Sequence, residues 1–188
     1  MAPTLNGPDA QYTHVNARHQ AHVYSIDHSM EHDANQVDQE AYQVPFATDP
    51  TTAGDCFFYM KNNSDTDIVI EGCSFMVSAA EEIYIEVGNT GTAVLTTGSA
   101  LTPANCNSGG GAADCTVWSN VSDGGSDITG LDTGNEIERL WFFAAANKEY
   151  FNFEMDVIIK KNDVFSMWAV GGDVVIRGTL VFFFHDAE

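Results

Sequence analysis

The segment Glu82–Val87 alternates without a break: Ile83, Ile85 and Val87 point one way, Glu82, Tyr84 and Glu86 the other. A period of two predicts an antiparallel strand with one buried face. Tyr150–Lys160 repeats the pattern, with Phe151, Phe153, Met155, Val157 and Ile159 set against Asn152, Glu154 and Asp156. Around these lie Asp55–Lys61 (DCFFYMK), Asp67–Ser78 (DIVIEGCSFMVS), Ile137–Ala145 (IERLWFFAA), Val164–Val170 (VFSMWAV) and Val174–His185 (VVIRGTLVFFFH), all rich in β-branched and aromatic residues. Thr92–Thr97 and Asp114–Ser119 are shorter strand candidates. Asn62–Asp65, Lys161–Asp163 and Gly171–Asp173 are turn clusters between the runs. The second predicts a turn, and the third a hairpin joining the last two strands.

No stretch sustains a period of 3.6 beside helix caps. The expectation is an all-β fold, an antiparallel β-sandwich of the jelly-roll type, over residues 51–188. Residues 1–50 differ. They hold five of the six histidines, one basic residue (Arg18) and few large aliphatics, and Pro3, Pro8, Pro45 and Pro50 punctuate them. An extended arm with one short strand near Ala21–Ile26 is expected there. The final strand becomes apolar on both faces at Val181, Phe182, Phe183 and Phe184. That predicts either a central strand covered on each side or a strand at a subunit interface.

Charge narrows the partners. The 188 residues carry 27 Asp+Glu against 7 Lys+Arg, a formal net charge of −20. Apolar residues are 44%, too many for a disordered acidic tail. Phosphate contacts need clustered Lys and Arg, so nucleic acid is not an expected partner. Self-repulsion at this charge destabilises a compact state in dilute salt. At molar salt the Debye length falls to about 3 Å and the repulsion is screened. Scarce lysine with abundant aspartate fits a protein that works in brine. Calcium does not account for the acids, because Asp123, Asp127 and Asp132 lack the spacing of an EF-hand loop. No apolar run approaches the roughly 20 residues of a membrane-spanning helix, and MAPTLNGPDAQ has neither the basic nor the apolar region of a secretory signal.

The sharpest catalytic motif is His28-Ser29-Met30-Glu31-His32, an H-x-x-E-H match. Two histidines four apart share a helix face and can hold zinc, with the glutamate as general base. The flanks, however, show no helix with an apolar face, and the segment is His-rich throughout, with His14, His19 and His22 nearby. Solvated or interface histidines are the reading taken. There is no G-x-S-x-G elbow and no phosphate-binding Gly-Lys loop. An enzyme is not expected, nor a cofactor, nor a resident metal.

Four cysteines, Cys56, Cys73, Cys106 and Cys115, lack any C-x-x-C pair. If Asp55–Lys61 and Asp67–Ser78 formed a hairpin, Cys56 would lie opposite Cys73, near enough for a disulfide. Cys106 and Cys115 flank Gly109–Gly111 and could close that loop. Buried free thiols are the equal alternative. Asn62-Asn63-Ser64 and Asn120-Val121-Ser122 are N-x-S sequons in expected loops.

From Ala100 to Asp186 the chain runs LTPANCNSGGGAADCTVW, a Gly/Asp-rich loop, IERLWFFAAANKEYFNFEMDVIIKKNDVFSMWAV and VVIRGTLVFFFHD. With the acidic composition and the length, this resembles the small single-jelly-roll major capsid protein of tailless, internal-membrane-containing icosahedral viruses of halophilic archaea. The resemblance implies an upright β-barrel that self-associates into dimers and larger capsomers with a second capsid protein. It also implies contact with an internal viral membrane or its proteins, and a place in the virion after assembly in the host cytoplasm. It transfers no catalytic residue. Three other readings stand beside it. One is a decoration or turret protein of a tailed halophilic virus. Another is a secreted carbohydrate-binding sandwich using Tyr59, Tyr84 and Trp118 as stacking platforms. The last is a cupin-like metal enzyme whose ligands would come from His14, His19, His22, His28 and His32.

Overall fold

A computed structural model describes the backbone of residues 5–6, 12–15, 21–24, 35, 38–88, 98–121 and 135–185. Its strands are β1 (Leu5–Asn6), β2 (Tyr12–Val15), β3 (Ala21–Tyr24), β4 (Ala41–Thr48), β5 (Asp55–Asn62), β6 (Asp67–Val77) and β7 (Glu81–Val87). They continue with β8 (Ser99–Leu101), β9 (Ala104–Asn105), β10 (Cys115–Ser119), β11 (Asn135–Phe142), β12 (Ala146–Ile159), β13 (Val164–Ala169) and β14 (Ile176–His185). The expected candidate Thr92–Thr97 lies outside the described residues.

Two antiparallel sheets form a sandwich. One has the order β11-β7-β13-β5-β10-β8, the other β12-β6-β14-β4-β9. The pairings are nested along the chain. β4 pairs with β14, β5 with β13, β6 with β12, and β7 with β11. A long hairpin folded over on itself gives this arrangement, and it makes the sandwich a jelly roll. β8, β9 and β10 belong to the excursion between β7 and β11. They extend the two sheets beyond β5 and β4. The β4/β5 side is therefore flanked by added strands, and β11 and β12 form the opposite margin. Leu5–Asn6, Tyr12–Val15 and Ala21–Tyr24 form a further three-stranded sheet, β1-β2-β3, richer than the single strand expected there.

Three expectations about connectivity are corrected. The sandwich begins at Ala41, not at residue 51, because β4 pairs along its length with β14. Its alternation (Tyr42, Val44, Phe46 and Thr48 buried, Gln43, Pro45 and Ala47 exposed) was legible but lay among prolines. Pro45 lies beyond the stretch where β9 pairs with β4, at Tyr42 and Gln43, so on that flank its missing N–H breaks no ladder. The turn Asn62–Asp65 joins β5 to β6, which lie in different sheets, so it crosses the sandwich and makes no hairpin. Gly171–Asp173 likewise carries the chain from β13 over to β14. The turn chemistry was right: Gly172 and Asp173 take positive φ, and a side chain on Gly172 would strike the Thr52 backbone.

Aromatic rings join the sheets. Phe46 of β4 lies 5.1 Å from Phe58 of β5 and 6.2 Å from Phe75 of β6, centroid to centroid. Phe142, the last residue of β11, reaches across to Phe75 and Phe151, at 6.2 Å and 5.9 Å. Edge-to-face pairs of this kind add roughly 0.5–1.5 kcal/mol each beyond the area they bury. β5 fits its aromatics through a bulge: Met167 pairs with Phe58 and Trp168 with Cys56, so Phe57 is the extra residue. Phe57 and Phe58 both belong to the core, while Cys56 and Tyr59 face outward into a second cluster with Trp168.

Gly178 shows how tight the layer is. A Cβ there would overlap the Ser74 carbonyl and the Phe46 ring. The expected effect of Gly178→Ala is a destabilisation of about 1–3 kcal/mol from overpacking, read as a shift in urea midpoint at constant slope. An unchanged midpoint would show that Phe46 does not depend on this gap.

Candidate functional site

Most large apolar side chains of the described residues are inside. Five are not: Ile137, Trp141, Phe143, Tyr150 and Ile158. All lie on β11 and β12 or in the turn between them. Phe143 is 90% exposed and Trp141 59%. The geometry follows from alternation. Phe142 sits opposite Glu81 and turns into the core, so its neighbours Trp141 and Phe143 turn away. Ile137 is the extra residue of a bulge, since Glu136 pairs with Glu86 and Glu138 with Ile85. Tyr150, opposite Ser74, lies over Gly72, where a Cβ would meet the tyrosine hydroxyl at 2.5 Å.

The bulge and charges modify an otherwise open sheet margin. Arg139 Nε donates to Glu136 at 2.6 Å, and its terminal nitrogens bond Glu136 and Glu82. The guanidinium lies 5.4 Å from the Tyr84 ring centre. Tyr84 in turn stacks on Trp168 at 5.8 Å, with planes 6° apart. The hydrogen bond from Arg139 holds the Glu136 carboxyl below its usual range. The bonds to Glu136 and Glu82 raise the Arg139 guanidinium further above its ordinary value. An edge strand interrupted by a bulge and carrying charges resists unlimited strand addition. Its exposed rings remain available for packing against another surface.

The run Val181–Phe184, the expected interface strand, lies elsewhere. β14 is in the middle of its sheet, between β6 and β4. Phe182 and Phe184 belong to the main core, and Phe183, on the other face, is only 4% exposed beside Val69 and Ala41. Val181 is half-buried. These rings are covered within one copy, so the central-strand alternative describes them. The sequence did hold a signal for the real apolar margin, the triplet Trp141-Phe142-Phe143. A strand cannot bury three consecutive rings on one face.

No disulfide joins the cysteines. Cys56 pairs across from Trp168 in one sheet, and Cys73 across from Phe151 and Leu180 in the other. The expected Cys56–Cys73 bridge is excluded by the crossing of β5 to β6. Cys106 is exposed and Cys115 partly buried, with no bond between them. Burial pushes the Cys56 and Cys73 thiols well up, and Cys115 to about 12, with the Asp114 charge adding to the last. In the folded protein Cys106 is expected to react with a thiol reagent first, the other three only on unfolding. Four thiols after denaturation and one fast thiol before it is the count to find; two or fewer after denaturation would restore a disulfide.

Tyr59 and Tyr84 do not serve as free platforms. Tyr59 is 2% exposed, and Tyr84 is sandwiched between Trp168 and Arg139. Trp118 is half-buried against the same cluster. Asn62 of the first sequon is fully buried. Its amide donates to the Thr66 and Ile159 carbonyls at 2.8 and 2.9 Å, and its oxygen accepts from the Ser64 N–H. Asn120 of the second is exposed, and its side-chain oxygen accepts from Thr48 and the Asp49 N–H. The side chains of His14, His19, His22, His28 and His32, and residues Asp123, Asp127 and Asp132, lie outside the described residues. Among the described residues no group of three His, Cys, Asp or Glu is placed to hold a metal ion. No helix of the described residues is long and apolar enough to cross a membrane. No protein-family model, curated protein or solved structure matches this chain.

Burial raises the Tyr59 and Tyr84 hydroxyls to about 12, with the nearby Cys56 and Glu86 charges adding to it. Unfolded, both ionise near 10.0. The folded state therefore keeps its full contribution from these groups below pH 10 and loses it as pH rises toward 12. Alkaline titration should show tyrosinate absorbance and loss of tertiary circular dichroism rising together in that window. Ionisation of every tyrosine near 10.0 with the fold intact would contradict it.

Proposed function

We propose that this chain is a virion structural protein, a capsid building block whose single upright β-barrel assembles into dimers or larger capsomers of an icosahedral shell in high salt. The observation that carries the proposal is the apolar β11–β12 margin on an otherwise well-packed jelly roll. Fold alone does not choose a function, since jelly rolls serve many. Exposed rings at Trp141, Phe143 and Tyr150, with Ile137 and Ile158 along the same two strands, are costly on a free monomer and useful on a subunit that meets neighbours. Aromatic rings are also the residues that dominate binding energy at such contacts. The charge of −20 supports the brine setting, where repulsion between copies is screened. The partners in this reading are further copies of the chain, a second capsid protein, and the internal membrane or its proteins. A decoration or turret subunit of a tailed halophilic virus would present the same margin to a shell already built.

Size-exclusion chromatography with light scattering in about 3 M KCl, repeated near 0.1 M, tests the proposal. Discrete assemblies in brine that dissociate or unfold in dilute salt are expected. Trp141→Ala with Phe143→Ala should weaken the larger assemblies by at least about ten-fold and leave the fold intact, because both side chains are outside the core. A 20.4 kDa monomer in both buffers would overturn the proposal.

A further inference from the structure

One row of apolar residues crosses the outer face of the five-stranded sheet at the end where β4 begins. Ile158 of β12 pairs with Val69 of β6, Val69 with Phe183 of β14, and Phe183 with Ala41 of β4. Their chain neighbours Ile68, Ile159, Phe182, Phe184 and Tyr42 belong to the core, so alternation turns the row outward. Ile158, at the sheet margin, is 52% exposed, as an outward side chain is when nothing lies over it. Val69 is 3% exposed and Phe183 4%. Further along β4 on the same face, Gln43, Pro45 and Ala47 are exposed again. The cover over Val69 and Phe183 is therefore local.

The sandwich strands do not supply it. The six-stranded sheet packs on the opposite, inner face, and Val69 and Ala41 stand beside Phe183 within the row. Tyr150 lies over Gly72, in the next row. Residues 89–97 join β7 to β8 and residues 122–134 join β10 to β11, and all four of those strands belong to the six-stranded sheet. Asp186, Ala187 and Glu188, which follow β14, include no large apolar side chain. The N-terminal segment remains, and it reaches the sandwich at the covered row. Asn107 Nδ2 donates to the Asn35 carbonyl at 3.1 Å, and Asn105 Nδ2 to the Gln39 carbonyl at 2.6 Å. The Phe184 N–H donates to the Glu40 carbonyl at 3.1 Å. Gln39 has a φ of 60°, a left-handed turn that redirects the chain just before β4. These bonds hold the end of the segment beside Ala41 and Phe184.

We infer that residues 25–37 of this chain lie across the outer face of the five-stranded sheet and bury Val69 and Phe183. Their large apolar residues are Ile26, Met30 and Val37. From Ala41 to Ile158 is three strand spacings, about 14 Å, which about five extended residues span. The segment is long enough to cross the row and return. An apolar row at the middle of a sheet face is thereby closed to neighbouring copies by the chain itself. The inference does not rest on the shell-subunit reading, and it concerns a different surface from the apolar rings of β11.

Two measurements in about 3 M KCl test it. On the unaltered chain, a dihydrazide linker between activated carboxylates should join Asp27, Glu31 or Asp33 to Asp67 or Glu71, to the same extent at every protein concentration. Links to Glu82 or Glu86 of the other sheet in their place overturn the inference. The second measurement labels Val69→Cys with a thiol reagent in a Cys106→Ser background, with Gln43→Cys as the exposed control on the same face. Val69→Cys should react at least about a hundred-fold more slowly than Gln43→Cys. Ile26→Ser, Met30→Ser and Val37→Ser together should speed its labelling at least about ten-fold, with the Gln43→Cys rate and near-ultraviolet circular dichroism unchanged. Protection that survives these three substitutions overturns the inference. Protection or linking that grows with protein concentration assigns the cover to a second copy and overturns it equally.

Discussion

Everything in this molecule depends on the first and last strands of the roll lying side by side. β14 pairs with β4 along eight residues and with β6 on its other flank, so the two ends of the sandwich chain close the five-stranded sheet. Only when that pairing forms does Phe46 come over Gly178, reach Phe58 across the core and meet Phe75 of its own sheet beyond β14. The contact joins the two ends of the roll, from Ala41 against Phe183 to Thr48 against Ile176. It is therefore slow to find, because loop-closure entropy opposes it before any burial favours it. The aromatic layer is what such a closure gains when it succeeds.

The same closure decides what is left outside. With β4 and β5 extended by β9 and β10, one side of the sandwich is flanked by its own chain. The other side ends on β11 and β12, the strands furthest from the closure. β11 places Phe142 inside and must turn Trp141 and Phe143 out. The Arg139 cluster then holds the margin to β7 through Glu82 and Tyr84. Packing requirements at the core thus generate the apolar margin, and the bulge at Ile137 limits how another strand could add to it.

Strand identity was legible from the sequence because a period of two is a local property. Glu82–Val87 reads as half-buried and is so; Tyr150–Lys160 reads as alternating and, up to Ile159, falls within a long strand at the sheet margin. Partner choice was not legible. Asn62–Asp65 carries proper turn residues, yet the amide of Asn62 bonds to Ile159, far along the chain, and the turn passes between sheets. No local signal separates a hairpin from a crossover when both use the same turn chemistry. From that one ambiguity came the Cys56–Cys73 pairing. The interface assignment to Val181–Phe184 failed for a related reason. Outward-facing Phe183 is covered by Val69 and Ala41, residues that only the tertiary pairing brings beside it.

Charge opposes the approach of one copy to another. A chain at −20 repels its own kind in dilute salt, and molar salt would screen that repulsion. Basic residues are too few to neutralise the surface, and Arg139, Lys160 and Lys161 are engaged with Glu82, Asp67 and Asp65 of the same copy. Any contact between copies would then have to come from apolar surface that needs no charge, and the exposed rings of Trp141 and Phe143 are the side chains of the β11 edge that offer it.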